Sequence, residues 1–93
     1  MLVSMLEILE KAKEGGYGVL APNVFNEDSV RVCIEAAVEL DSPLIIDVLP
    51  DNHKDIVSFG KLICSMANEV RIPIALNLDH GDTYEACVKA IYG

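Results

Sequence analysis

Basic residues are scarce in this 93-residue sequence: seven Lys and Arg face fifteen Asp and Glu, for a formal charge of −8. No basic cluster reverses that field locally, so phosphate backbones and anionic lipid surfaces are poor partners, and nucleic-acid and membrane-surface functions are set aside. Long apolar runs are missing too, none nearing the roughly 20 residues a membrane span needs. The opening stretch Met1 to Leu9 is short and carries Glu7 where a secretory leader would carry basic residues. Cysteine is limited to Cys33, Cys64 and Cys87, with no C-x-x-C pair, which excludes a zinc ribbon and a dithiol redox motif. An odd count without a leader indicates reduced thiols, expected to pack as small hydrophobes in a soluble, cytoplasmic protein. What is abundant is apolar surface: 52% of residues are hydrophobic, which excludes disorder, and the length suffices for one domain or part of one.

The apolar residues are periodic. Leu2, Met5, Leu9 and Ala12 recur at helical spacing and stop at Gly15-Gly16, where glycine takes a left-handed C-cap without steric cost. Tyr17 to Val24 reads as a first strand, with Pro22 near its end. Asn26 is the expected N-cap of a second helix, with Glu27 and Asp28 in its first turn and an apolar face of Val30, Ile34, Ala37 and Val38, running to about Leu40. Leu44 to Leu49 is nearly continuously apolar, as in a parallel strand covered on both faces. A third helix follows on Ile56, Phe59, Ile63, Met66, Ala67 and Val70, then a third strand over Ile72 to Leu78. A fourth helix begins with the stripe Tyr84, Cys87, Val88 and Ile91, and the sequence stops inside it.

The order is a helix and then three strand-helix units, with Val19, Val48 and Asn77 roughly 29 residues apart. Such alternation predicts an α/β fold built on parallel (β/α) units. A complete (β/α)8 barrel takes about 250 residues, so residues 1–93 would supply the first three strands of one, as a single partial domain. Open strand edges invite pairing with other chains, and homo-oligomerisation through exposed sheet edges is expected.

In parallel α/β folds ligands bind beyond the carboxyl ends of the strands. Three segments lie there: Asn23 to Asn26, Leu49 to His53, and Asp79-His80-Gly81-Asp82. The last places a carboxylate and an imidazole at the end of an apolar strand. If extended geometry continues, their side chains point in opposite directions, one toward a barrel axis as general acid or base and the other toward a metal at the rim. The plainer alternative is that Asp79 or Asp82 caps the next helix and His80 is a surface residue. A site of His53, His80 and a carboxylate is a further option. Gly15-Gly16-Tyr17-Gly18 precedes a strand, so its amides sit at the wrong end to cradle a phosphate.

Leu76-Asn77-Leu78-Asp79-His80-Gly81, following Ile72-Pro73-Ile74-Ala75, resembles the third-strand signature of the class II, zinc-dependent ketose-bisphosphate aldolases. Leu6 to Ala12, Lys13-Glu14-Gly15-Gly16-Tyr17-Gly18-Val19 and Ala21-Pro22-Asn23-Val24 resemble that family's first helix and strand. The resemblance covers all 93 residues and implies a TIM barrel of carbohydrate metabolism, glycolysis included. It also implies reversible cleavage of a phosphorylated ketose to dihydroxyacetone phosphate and an aldehyde, with Zn2+ as Lewis acid. By position in the motif, Asp79 would be the catalytic acid-base residue, His80 a zinc ligand and Asn23 a substrate contact. Phe25 and Leu49 depart from the family, standing where many members carry a polar residue and a serine. The family's other zinc ligands and its phosphate-binding glycine loop lie beyond residue 93, so the expectation is an N-terminal aldolase segment inactive on its own. Two other readings are a non-catalytic α/β module that binds a ligand or partner, and a barrel assembled from several chains.

Overall fold

The computed structural model describes every residue, Met1–Gly93. Ser4 starts the first helix, its hydroxyl accepting the Glu7 N–H at 3.2 Å, so α1 runs Met5–Gly15 and not from Leu2. Gly16 closes it at φ 69°, a left-handed C-cap open to glycine at little cost. Asn26 caps α2 (Glu27–Glu39) in a reciprocal box with Ser29. Strand β1 (Leu44–Val48) leads through a short 3-10 turn, Pro50–Asn52, into α3 (Ile56–Asn68), capped by Asp55. Strand β2 (Ile74–Leu78) and α4 (Tyr84–Tyr92) complete the order.

The strands pair in parallel, from Leu44 opposite Ile74 to Val48 opposite Leu78. Tyr17 to Val24, expected as a full strand, forms only a partial one. The Ile45 and Asp47 N–H groups donate to the Leu20 and Pro22 carbonyls, and Val24 N–H donates to Asp47, each at 3.0 Å. The matching donor to Ile45 would be the N–H of residue 22, which proline lacks, so regular pairing reduces to one bridge, Asn23 to Asp47. The far edge of β2 is met at Ile74 by Met1 and Val3. Leu76 and Leu78 continue that edge beside no further strand. The sheet is an unclosed parallel α/β layer.

Alternation gives its two faces different work. Leu44, Ile46, Val48 and Ile74 join Val30, Ile34 and Ala37 of α2 and Phe59, Ile63 and Ala67 of α3 in one buried cluster. On the other face Ile45 and Ala75 are covered by Ile8 of α1, with Val3 and Val19 against them. That helix spans only the amino-terminal half of its face. Beyond it the inward positions turn polar, and this is where the site lies.

The fourth helix docks against expectation. Of its apolar stripe, Val88 is half-buried while Tyr84 (87%), Ile91 (83%) and Cys87 are exposed. Gly93, at the end of the helix, lies against Gly60 of α3, where an added Cβ would stand 2.9 Å from the Gly93 backbone. The expectation that all three cysteines pack inside therefore fails for Cys87 and holds in part for the half-buried Cys33 and Cys64. Burial raises the thiol pKa of both.

Candidate active site at the strand ends

Asn23, Asp47 and Asn77 occupy one rung across the three chain segments, since Asn23 bridges Asp47 and Asp47 pairs with Asn77. Asp47 is a carboxylate inside an otherwise apolar strand. Its cost there is met by partial exposure and by Asn77, whose Nδ2 donates to Asp47 Oδ1 at 3.0 Å. One rung further out stands Asp79, its backbone N–H held by Val48 O at 2.9 Å. Its Oδ2 accepts from Asn23 Nδ2 at 3.1 Å, joining residues 56 positions apart across β1. The result is an array of two carboxylates and two carboxamides on the face that α1 leaves open.

His80 departs from extended geometry. Its φ of 55° is left-handed, a conformation histidine tolerates better than most residues. The Asp82 N–H closes the turn on His80 O at 2.8 Å. The expected opposition of Asp79 and His80 is therefore lost, and His80 Nε2 lies 3.7 Å from Asp79 Oδ1. That exceeds a hydrogen bond but places imidazole and carboxylate at one spot. Asp79 is 29% exposed and His80 69%, so both reach solvent. Space beside Gly81 is tight: a Cβ would meet Cys87 Sγ and Leu78 Cδ2, each at 2.9 Å, so those side-chain ends would have to shift.

Neither Asp79 nor Asp82 caps α4. Thr83 does, its hydroxyl accepting the Ala86 N–H at 3.1 Å. His53 is separate from the array: its ring stacks on Phe59 with centroids 4.3 Å apart, and its Nδ1 accepts the Asp55 N–H at 3.0 Å. A joint His53 and His80 centre is thereby ruled out, and no three His, Cys, Asp or Glu groups converge anywhere to hold a metal. His53 lines a polar groove of about 320 Å³ with Asp51, Lys54, Glu85 and Lys89. Leu49 and His80 border a smaller one of about 80 Å³, and Phe25 is 54% exposed. Asp47 and the Asn23–Asp79 bond were missed from sequence. The lone acid within Leu44 to Leu49 was the available signal for the first, and a bond between segments 56 residues apart leaves none for the second.

Residues 3–92 match the family model described as fructose-bisphosphate aldolase class-II. The chain belongs to the class II fructose-bisphosphate aldolase family. A fructose-bisphosphate aldolase of Thermus caldophilus is 38% identical over 98% of this chain and 30% of its own length. A probable fructose-bisphosphate aldolase of Bacillus subtilis is 37% identical over 98% and 34%. A 6-phospho-5-dehydro-2-deoxy-D-gluconate aldolase of Halalkalibacterium halodurans is 38% identical over 97% and 33%. Among solved structures, the YdjI aldolase of Escherichia coli K12 superposes with a TM-score of 0.90 at 28% identity, covering 100% of this chain and 38% of that one. The chain thus spans about a third of the length of the curated aldolases it matches, corresponding to their N-terminal part.

Proposed function

We propose that residues 1–93 form, as one partial domain, the opening third of an aldolase barrel that reversibly cleaves a phosphorylated ketose into dihydroxyacetone phosphate and an aldehyde. The observation that carries this reading is the left-handed turn that sets His80 beside Asp79 at the end of β2, on the face α1 leaves open. Asp79 does the proton work. In cleavage its carboxylate takes the proton of the hydroxyl whose oxygen becomes the aldehyde oxygen, and in condensation it returns that proton. Asn23 keeps a carbonyl oxygen and one N–H for substrate after its bond to Asp79.

His80 is the proposed zinc ligand. Its exposed imidazole suits the metal, but the residues present do not complete a site, because a catalytic zinc takes three protein ligands and no such group converges here. The isolated chain is therefore expected to be inactive, the remaining donors coming from further strands. The free β2 edge at Leu76 and Leu78 lies beside an apolar cavity of about 290 Å³, lined in part by Ile56, Cys64 and Ala90. Self-association through that edge is the corresponding expectation for the chain on its own. Three free cysteines accord with a cytoplasmic setting, and no helix is long and apolar enough to cross a membrane.

The test is a chimera in which residues 1–93 replace the matching third of the Thermus caldophilus enzyme. It should cleave ketose bisphosphates in a zinc-dependent manner, and Asp79→Asn and His80→Ala should each lower kcat/KM by about 10²–10⁴. A chimera active with both substitutions would remove the assignment.

A further inference from the structure

Asp79 is held from across β1. The Asn23 carboxamide donates to its Oδ2 at 3.1 Å over the top of β1. An ionised carboxylate only accepts, so the atom facing it must be the carboxamide nitrogen, which settles the amide orientation on chemical grounds. Asp47 stands in the same rung as Asn23, but its Oδ1 accepts from Asn77, and the Asn23 carboxamide donates to Asp79.

Both ends of the contact are anchored in the backbone. On either side of Asn23, the Pro22 carbonyl accepts from Asp47 N–H and the Val24 N–H donates to Asp47 O, each at 3.0 Å. The Val24 side chain is fully buried, and Pro22 has its φ locked by its ring. Asp79 hangs from Val48 O through its own N–H at 2.9 Å. One strand, β1, thus fixes the separation of the two backbones that carry these side chains.

We propose that Asn23 is a positioning residue for Asp79: its N–H occupies Oδ2, selects one rotamer of the carboxylate, and leaves Oδ1, on the His80 side, as the oxygen that exchanges the proton. The proposal rests on Asp79 being the acid-base group. It adds an atom-level assignment to that reading, and a second task for a residue otherwise expected to meet substrate alone. The carboxamide has capacity for both, since one N–H and its oxygen remain free.

The experiment uses the isotope-labelled 93-residue chain and nuclear magnetic resonance. Three-bond couplings to the two Asp79 β-protons report the χ1 populations, and the Asn23 side-chain amide protons report the bond. In the unsubstituted chain one Asp79 rotamer should exceed the others by roughly three- to tenfold, the population ratio equivalent to one net hydrogen bond. In Asn23→Ala the populations should even out while the backbone amide shifts of β1 stay in place. Asn23→Asp, isosteric but without the donor, should do the same. In Asp79→Asn, where acceptor charge is lost, the Asn23 amide protons should move toward their free values. An Asp79 already averaged in the unsubstituted chain, or one keeping its rotamer in both Asn23 variants, would overturn the proposal. The acid-base reading is tested separately: full cleavage by the Asp79→Asn chimera would remove it whatever the rotamer shows.

Discussion

Replacing Ile46 by alanine should cost far more stability than replacing Ile45, although the two are neighbours on one strand. Ile46 is fully buried in the twelve-residue cluster between the sheet and helices α2 and α3. Ile45 is 5% exposed and shares a three-residue cluster with Ile8 and Ala75 beneath α1. Each truncation removes three carbons, about 2.4 kcal/mol of transfer free energy at about 0.8 per carbon. The difference lies in the cavity. Around Ile46, side chains from two helices and two strands cannot all close in, and the total should reach about 4 kcal/mol. Around Ile45, α1 can settle inward, and the total should stay near 2.5 kcal/mol. At about 0.05–0.15 kcal/mol per residue, a chain this size has roughly 5–14 kcal/mol to lose, so Ile46→Ala leaves it marginal. Urea titrations of the two variants, with Ile46→Val at about 1 kcal/mol as a milder third, measure this. An Ile45→Ala cost equal to or above that of Ile46→Ala, at unchanged m, would refute the assignment of the principal core to the helix-covered face.

Three further expectations follow from individual contacts. Hydrogen bonds from the Ser58 N–H and hydroxyl hold the Asp55 carboxyl below its ordinary range. A depressed folded value means a contribution present above the unfolded carboxyl value near 4 and lost as pH falls through the folded one; Asp55→Asn, which keeps the cap, should flatten that acid limb in urea midpoints taken from pH 7 to 3. Native thiol titration with Ellman's reagent should show one fast cysteine, Cys87, and two slow ones, Cys33 and Cys64, whose thiols burial holds protonated; three equal rates would contradict the packing. Gly81→Ala should destabilise by about 1 kcal/mol, because the new methyl displaces only the flexible ends of Cys87 and Leu78. A neutral result in thermal melts would mean that the turn is looser than the geometry requires.

The helices and the two regular strands were legible because their apolar residues repeat at the spacing that buries them, and Gly16 and Asn26 mark the caps. Four features were not. Pro22 looked harmless near a strand end, yet its missing N–H falls on the ladder to β1 and breaks the pairing. The stripe Tyr84, Cys87, Val88 and Ile91 signalled the fourth helix but not its facing: Gly93 lies against Gly60, Val88 is half-buried, and Tyr84, Ile91 and Cys87, the last expected inside, are exposed. At the site, the motif located Asp79 and His80. Strand alternation then implied that they diverge, and only the positive φ of His80 brings them together. The bond from Asn23 depends on how three segments stack, which hydrophobic spacing does not encode.

The most direct test of the site is a crystal structure of the chimera with zinc bound. The account requires a ring nitrogen of His80 at about 2.0–2.1 Å from the metal. A fully occupied zinc with the His80 ring outside its coordination shell would contradict it.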